Sequence, residues 1–244
     1  MTLNALITGG AKGIGLAIAR RLAADGASLA LVGRDGDALQ RVAHELGARH
    51  AVADVTDRAA LRAAITALGR CDILVNNAGA ALSKPFAKHE LSDFHSMLDV
   101  NLLGAVTACQ AVLPGMRTGG FGRIVNIAST AGLKGYPYVT AYVAAKHALV
   151  GFTRALAQET AKDGVTVNAV CPGFTDTDLV ARAAATIAES SGRSIDDARR
   201  LLAASNPMDR LVQPKEVAEV VAFLCRPGAG AITGQAIAVA CGEV

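Results

Sequence analysis

Tryptophan is absent from this chain of 244 residues, and aromatic residues make up only 4% of it. The net charge is only +3, and the basic residues are scattered rather than clustered, so a nucleic-acid partner is disfavoured. No stretch approaches 18 uncharged apolar residues, which argues against a membrane-spanning segment. The N-terminus shows no basic segment followed by a cleavable apolar run, and we therefore expect a cytoplasmic protein.

Cysteine is sparse and lacks any metal-binding or disulfide pattern. The five cysteines are odd in number and include no C-x-x-C pair. They are Cys71, Cys109, Cys171, Cys225 and Cys241. We interpret them as small buried hydrophobic residues of a protein in a reducing compartment. The histidines also lack ligand spacing, since His89 and His95 would lie on different faces of a helix. The sequence therefore predicts no metal site.

Strand-like and helix-like segments alternate along most of the chain, and 52% of the residues are apolar. The predicted strands are 3–8, Ser28–Val32, His50–Ala53, Asp72–Asn76, Arg123–Ala128, Val165–Val170 and Gln235–Val239. The predicted helices are Ile14–Ala24, Asp35–Leu46, Thr56–Leu68, Glu90–Arg117, Thr140–Lys162 and Pro214–Leu224. This order predicts an α/β fold: a doubly wound, Rossmann-like, mostly parallel seven-stranded sheet with helices on both faces. We expect residues 1–244 to form a single dinucleotide-binding and catalytic domain.

An alanine-rich insertion at about 175–207 interrupts the alternation. Its pattern predicts two helices, Asp178–Ser190 and Ile195–Ala204. Because the insertion follows the carboxyl end of a strand, where ligands bind in such sheets, we interpret it as a substrate lid. A packing helix pair or a subunit contact is the alternative.

A glycine-rich turn joins the first predicted strand to the first predicted helix. Its sequence is Thr8-Gly9-Gly10-Ala11-Lys12-Gly13-Ile14-Gly15. Glycine allows a tight turn and lets backbone N–H groups approach a pyrophosphate at the positive end of the helix. No Gly-Lys-Ser/Thr follows, so the turn is not a triphosphatase loop. We therefore predict a dinucleotide phosphate site, and its residues are Gly9, Lys12, Gly13, Ile14 and Gly15.

The end of the second predicted strand bears on the choice of nicotinamide cofactor. Gly33 stands where NAD-binding proteins commonly carry an acid that accepts from the ribose 2′-hydroxyl. Arg34, aided by Lys12, could instead neutralise a 2′-phosphate, so we expect NADP(H) to be preferred, with NAD(H) as the alternative. Both cations could also be merely solvated, with Asp35 contacting the ribose.

Three polar residues form a candidate catalytic group. Tyr142 and Lys146 are four apart in a predicted helix, and Ser129 follows the fifth predicted strand. The spacing of four places the phenol and the ammonium on one helix face. Lowering a phenol pKa from about 10 towards neutrality takes roughly 3–4 kcal/mol, which an ammonium and a bound nicotinamide cation could supply. A serine hydroxyl could then hold the carbonyl oxygen as its charge develops.

Together these motifs resemble the short-chain dehydrogenase/reductase family from Thr8 to the C-terminus. The motifs that carry the resemblance are Thr8-Gly9-x-x-x-Gly13-x-Gly15, Asn76-Asn77-Ala78-Gly79, Ser129, Tyr142-x-x-x-Lys146 and Pro172-Gly173. The resemblance implies that Tyr142 is the general acid/base and that Ser129 orients the substrate carbonyl. It implies that Lys146 binds the nicotinamide ribose and lowers the Tyr142 pKa, and that Asn101 holds a proton-relay water.

The resemblance also implies further cofactor contacts and an assembly. The implied contacts are Asp54, Val55, Asn77, Ala78, Gly79, Tyr142, Lys146, Pro172, Gly173 and Thr175. The predicted helices Glu90–Arg117 and Thr140–Lys162 correspond to the family's intersubunit four-helix bundle, so a homotetramer is expected. The C-terminal Ala240-Cys241-Gly242 departs from the paired glycines of the family, which puts one subunit contact in question.

Within the family, several segments look similar to bacterial 3-oxoacyl-thioester and polyketide ketoreductases. We therefore predict NADPH-dependent reduction of a ketone, with a small carbonyl or alcohol substrate carried on CoA or acyl carrier protein. An NAD-dependent dehydrogenase of a secondary alcohol or 3-hydroxyacyl-CoA is the alternative, and a non-catalytic dinucleotide sensor is a third. The candidate substrate pocket, chosen by position, comprises Phe86, Leu133, Tyr136, Tyr138, Phe174 and Leu179.

Arginines of the insertion offer a contact for such a carrier. They are Arg182, Arg193, Arg199 and Arg200. Their guanidinium groups could meet a phosphopantetheine or CoA phosphate. Alternatively, they pair with the nearby acids Glu189, Asp196 and Asp197 as ordinary helix-surface residues.

Overall fold

The structure is a computed structural model that describes residues 2–244. The strands are β1 (Asn4–Thr8), β2 (Ser28–Gly33), β3 (Arg49–Val52), β4 (Ile73–Asn76), β5 (Gly122–Ile127), β6 (Val165–Pro172) and β7 (Ala236–Val239). The helices are α1 (Gly13–Ala24), α2 (Gly36–Leu46), α3 (Arg58–Leu68), α4 (Leu91–Leu98), α5 (Gly104–Gly119), α6 (Thr140–Thr160), α7 (Asp178–Ser191), α8 (Ile195–Ala203) and α9 (Pro214–Cys225). The predicted strands and helices are present within a few residues of their expected bounds, except that the helix predicted over Glu90–Arg117 is divided.

The strands form one seven-stranded sheet in the order β3-β2-β1-β4-β5-β6-β7. Every neighbouring pair is parallel, which confirms the predicted doubly wound α/β fold. The strand order reverses between β1 and β4, so the chain leaves these two strands in opposite directions. A crevice opens there at the carboxyl edge of the sheet, and this is where such sheets bind ligands.

Helices cover both faces of the sheet, as predicted. On one face Ile18 and Leu22 of α1 pack with Val217 of α9 against β1 and β2. On the other face Leu61 of α3 and Val112 of α5 pack against the central strands. The central strands β4 and β5 are rich in valine, leucine and isoleucine and are buried on both faces, whereas the edge strand β3 is largely exposed.

The cysteines are all free, and all but the partly buried Cys241 are buried. Burial raises the pKa of Cys71, Cys109 and Cys225 to about 12, and that of Cys171 to about 11. Their interpretation as buried residues is confirmed for these four and is wrong for Cys241.

The long helix predicted over Glu90–Arg117 is not a single regular α-helix. A π-helical turn, Asp99–Leu103, separates α4 from α5. Within it the Gly104 backbone N–H donates to the Asp99 carbonyl, five residues back. The Asn101 side chain explains the break, because its Nδ2 donates to the Met97 carbonyl at 3.0 Å and thereby replaces an α-helical backbone bond.

By length and composition alone, the helical stretch Leu91–Gly119 could cross a membrane. It is the one such stretch among the described residues, and 44% of its most apolar 18-residue window is buried inside the chain. The pattern is therefore weak evidence for a membrane segment.

Candidate active site

The glycine-rich turn between β1 and α1 lies at the crevice between β1 and β4. Asn77 holds it in place, because its Nδ2 donates to the carbonyls of Thr8 and Gly9, both at 3.1 Å. In return, Thr8 Oγ1 accepts from the backbone N–H groups of Asn77 and Ala78, both at 3.1 Å. The structure thus brings Gly9, Asn77 and Ala78 together, three of the residues predicted to bind the cofactor.

The turn leaves no room for side chains at its glycines. Gly9 and Gly13 have φ of +66° and +52°, in the left-handed region that favours glycine. A Cβ at Gly15 would overlap the Gly9 carbonyl oxygen. Lys12, the first residue before α1, makes no side-chain cap, and the first turn of the helix carries no acid. The helix N-terminus can therefore offer its backbone N–H groups to an anion.

Two ion pairs lie where the cofactor's adenosine ribose is expected. Lys12 Nζ lies 2.6 Å from Asp35 Oδ2, and this contact lowers the pKa of Asp35. Arg34, whose side chain is 76% exposed, lies 3.5 Å from Asp54 Oδ2. Asp54 is held mainly by its own turn, where Thr56 N and Oγ1 donate to Oδ1 at 2.9 and 2.8 Å. Arg34 therefore keeps a guanidinium at the mouth of the crevice, whereas Lys12 is engaged by Asp35.

Ser129 and Tyr142 meet at the carboxyl edge of the sheet. Ser129 follows β5, and its Oγ accepts from the Ala131 N–H at 3.1 Å, which orients the hydroxyl. Tyr142 lies in the first turn of α6, with its hydroxyl near that of Ser129. Burial raises the pKa of Tyr142, and the polar contact with Ser129 opposes this effect. In the protein chain alone the phenol therefore keeps its proton at neutral pH.

Lys146 lies one turn further along α6 and is buried. Its Nζ donates to the Ile127 carbonyl at 2.8 Å and lies 5.7 Å from the centroid of the Tyr142 ring. Burial lowers the Lys146 pKa from 10.5 to about 8. The two side chains thus share one face of α6, as their spacing predicted.

Asn101 lies below Lys146 and is buried in the π-helical turn. Its Nδ2 also donates to the Ala80 carbonyl at 2.9 Å, and its Oδ1 accepts from the Ala80 N–H at 3.3 Å. A Cβ at Gly79 would lie 2.8 Å from Asn101 Oδ1 and 3.6 Å from Lys146 Nζ. Because Gly79 has no side chain, Asn101 and Lys146 can both lie close to its backbone at the floor of the crevice.

The segment after β6 closes one side of the crevice. The Gly173 N–H donates to the Val239 carbonyl at 3.0 Å, and Thr175 Oγ1 donates to the Gly173 carbonyl at 2.9 Å. A Cβ at Gly13 would lie 3.3 Å from Thr177 Cγ2, so the start of the insertion rests on the glycine-rich turn. Val55 lies apart from this segment and packs against Gly104.

The predicted pocket residues divide into two groups. Tyr136 and Phe174 form an edge-to-face pair with centroids 6.1 Å apart, and Leu133 is partly buried against the core cluster that includes Ala128 and Leu149. Phe86, Tyr138 and Leu179 are exposed by 69%, 60% and 40%. The side chains of these three residues therefore lie at the surface of the chain rather than in an enclosed pocket.

The insertion contains α7 and α8, which pack on each other through a small apolar cluster. Val180, Ala184, Ala198 and Leu202 form this cluster together with Leu211.

Two of the insertion's arginines are engaged by acids. Arg200 pairs with Asp197 at 2.6 Å, as one alternative expected, and Arg199 pairs with Asp176 at 2.7 Å. Surface pairing therefore accounts for these two arginines.

Three functional neighbours escaped the sequence reasoning. Thr8 Oγ1 ties the glycine-rich turn to the segment after β4, and the Ile127 carbonyl anchors Lys146. Glu243, near the C-terminus, accepts a hydrogen bond from the Tyr136 hydroxyl. A backbone carbonyl has no sequence signature, whereas the position of Thr8 directly before the first glycine was an available signal.

Comparisons with known proteins agree with this geometry. The family model for short chain dehydrogenases matches residues 3–188. A single-substitution variant of the actinorhodin polyketide ketoreductase, solved with NADPH, is 39% identical and superposes with a TM-score of 0.95 over 99% of this chain and 97% of its own. A D-beta-hydroxybutyrate dehydrogenase of Cupriavidus necator is 38% identical, covering 95% of this chain and 93% of its own. The 3-oxoacyl-acyl-carrier-protein reductase FabG of Aquifex aeolicus is 36% identical, covering 96% and 94%.

Proposed function

Because the chain belongs to the short-chain dehydrogenase family and is an NAD(P)-dependent oxidoreductase, we propose that it reduces a 3-oxoacyl thioester or a related ketone with NADPH. Relatives named as ketoreductases support ketone reduction as the reaction class. One observation carries the proposal: Ser129, Tyr142 and the buried Lys146 come together at the carboxyl edge of the sheet, with Lys146 Nζ 5.7 Å from the centroid of the Tyr142 ring.

This group of side chains fits the acid chemistry of ketone reduction. Bound NADPH supplies the hydride for the carbonyl carbon. Ser129 donates a hydrogen bond to the carbonyl oxygen, and Tyr142 transfers its phenolic proton to that oxygen. Burial keeps the proton on Tyr142 at neutral pH, which is the state that a proton donor requires.

Lys146 and Asn101 complete the proposed site. The Lys146 ammonium, with its pKa of about 8, stabilises the phenolate left after proton transfer. Asn101 fixes the Gly79–Ala80 segment against the crevice floor and lies between Lys146 and the surface loop after β4.

The residues around the crevice fit a dinucleotide phosphate. The uncapped N-terminus of α1 and the bare glycines Gly9, Gly13 and Gly15 offer backbone N–H groups to a pyrophosphate. Arg34 is exposed at the end of β2, and Gly33 supplies no acid there, which favours a 2′-phosphate and therefore NADP(H).

An NAD-dependent dehydrogenase of a secondary alcohol or 3-hydroxyacyl-CoA is the second candidate. Asp35 favours it, because this carboxylate lies next to Arg34 and could accept a hydrogen bond from a ribose hydroxyl. The relative named as a D-beta-hydroxybutyrate dehydrogenase points in the same direction.

Titration of the purified enzyme with NADPH and NADH, followed by assays with acetoacetyl-CoA, 2-oxo-esters and cyclic ketones, separates the candidates. We expect a lower Kd for NADPH and measurable reduction of the thioester. Tighter binding of NADH together with faster oxidation of a 3-hydroxyacyl-CoA would establish the second candidate instead.

We further infer the setting in which the enzyme works. Residues 1–244 act as one catalytic domain in a cytoplasmic homotetramer, with 175–207 as the substrate lid. The substrate is a small molecule that CoA or acyl carrier protein can carry. The contact between Thr177 and Gly13 supports the lid, because it joins the insertion to the cofactor's phosphate site.

A further inference from the structure

One carboxylate lies in the wall of the crevice but takes no part in the proposed proton chemistry. Glu243 follows β7, and only 1% of its side chain is exposed. Its Oε1 accepts from the Tyr136 hydroxyl and lies 3.2 Å from Lys134 Nζ. Its Oε2 is buried and has no hydrogen-bond partner among the residues that the structure describes.

The Glu243 carboxylate is linked to the residue next to Ser129. The Tyr136 hydroxyl lies 2.7 Å from Thr130 Oγ1 as well as against Glu243. A phenol has one proton and an ionised carboxylate only accepts, so Tyr136 donates to Glu243 and Thr130 donates to Tyr136. The Tyr136 pKa is raised by burial first and then by Glu243, with a smaller contribution from Tyr142, so the two phenols share one electrostatic environment.

The two charges of the Glu243–Lys134 ion pair differ in their exposure to solvent. Lys134 is 38% exposed and neutralises Glu243 from the solvent side. The unpaired Oε2 faces inward, since a Cβ at Gly173 would lie 3.0 Å from it. Gly173 directly precedes Phe174, which packs on Tyr136. The negative end of the ion pair therefore points towards Gly173, one of the predicted cofactor contacts, and burial strengthens its field.

We propose that Glu243 is a specificity-determining residue that makes the site select oxo substrates whose acid end is masked as an ester or thioester. The inference rests on the proposed function. In a 3-oxo acid the carboxyl carbon is two bonds from the ketone carbon. A ketone held by Ser129 and Tyr142 therefore brings a free carboxylate into the same crevice as Glu243. Repulsion between the two carboxylates disfavours the free acid and leaves the neutral ester unaffected.

The test compares methyl acetoacetate with acetoacetate, which share the reacting ketone and differ in charge. For the wild type we expect kcat/KM to be at least about tenfold higher for the ester, equivalent to about 1.4 kcal/mol. Glu243→Gln removes the charge but keeps an oxygen that accepts from Tyr136. It should raise kcat/KM for acetoacetate about tenfold and leave that for the ester within about twofold.

A second variant tests the sign of the electrostatic effect on kcat/KM for acetoacetate, and a third serves as the control. Lys134→Gln should lower kcat/KM for acetoacetate further, because it removes the compensating ammonium. Glu45→Gln removes a carboxylate from the last turn of α2, where it pairs with Arg20, and should leave the ester-to-acid ratio unchanged.

The outcomes separate this inference from the function on which it rests. If the wild type reduces neither compound nor any thioester with NADPH, the proposed function fails. If it reduces the ester but treats acetoacetate equally well, or if Glu243→Gln leaves the ratio unchanged, only the role of Glu243 is overturned. Should the Gln variant not fold, Lys134→Gln decides the question: an ester-to-acid ratio no higher than that of the wild type overturns the role of Glu243.

Discussion

Replacing the buried Lys146 with methionine should stabilise the fold at neutral pH while abolishing activity. Burial lowers the Lys146 pKa from 10.5 to about 8. At about 1.36 kcal/mol per tenfold change in proton affinity, holding the ammonium in the folded chain costs about 3.4 kcal/mol at pH 7. The substitution also leaves the Ile127 carbonyl without its donor, which costs about 1–3 kcal/mol. We therefore expect Lys146→Met to raise the free energy of unfolding by about 0.5–2.5 kcal/mol at pH 7.

The pH dependence distinguishes this explanation from a general packing effect. Because the folded-state pKa is the lower one, the unfolded chain binds more protons between pH 8 and 10.5. The stability of the wild type therefore rises relative to that of the variant across this range. Between pH 7 and pH 10 the difference should change by about 2.5 kcal/mol, enough to reverse the order of the two proteins.

Urea unfolding of the ligand-free proteins, followed by circular dichroism at one protein concentration, measures these differences. Lys162→Met, an exposed lysine just beyond the other end of α6, is the control and should change the unfolding free energy by less than about 0.5 kcal/mol at both pH values. A Lys146→Met protein that is less stable than wild type at pH 7, or a difference that does not vary with pH, would refute the reasoning.

Three further substitutions test the site. Tyr142→Phe should lower kcat at least about 100-fold because the proton donor is lost, with the Kd for NADPH within about twofold; retention of a tenth of wild-type kcat would remove Tyr142 from its role. Arg34→Asp should shift the NADPH-to-NADH ratio of Kd values towards NADH by about 1–3 kcal/mol, and an unchanged ratio would count against a 2′-phosphate contact. Gly15→Ala should abolish NADPH binding in fluorescence titrations because its Cβ overlaps the Gly9 carbonyl, whereas Gly115→Ala, in open space on α5, should bind normally; equal affinities would contradict the packing argument.

Much of the fold and part of the site could be predicted because their signals are local. The alternating segments and the run from Gly9 to Gly15 require only neighbouring residues to be read, and the sheet order follows from right-handed crossovers. The spacing of Tyr142 and Lys146 likewise placed both on one face of α6.

The remaining features depend on contacts between distant parts of the chain. The π-helical turn exists because Asn101 reaches both the Met97 and the Ala80 carbonyls, and the second of these belongs to a loop 21 residues earlier. The hydrogen bond of Glu243 to Tyr136 spans 107 residues. The hydrogen bond that holds the Lys146 ammonium on the Ile127 carbonyl also has no signature in the sequence.

The buried cysteines allow local unfolding of the chain to be measured by alkylation of their thiols. A thiol with a pKa of about 12 is almost never a thiolate at pH 7.5, so an alkylating reagent can label it only after its surroundings open. Cys71 precedes β4, Cys109 lies in α5, Cys171 in β6 and Cys225 at the end of α9. Mass spectrometry of a labelling time course would therefore show in which order these four regions become accessible. The partly buried Cys241 serves as the reference for rapid labelling.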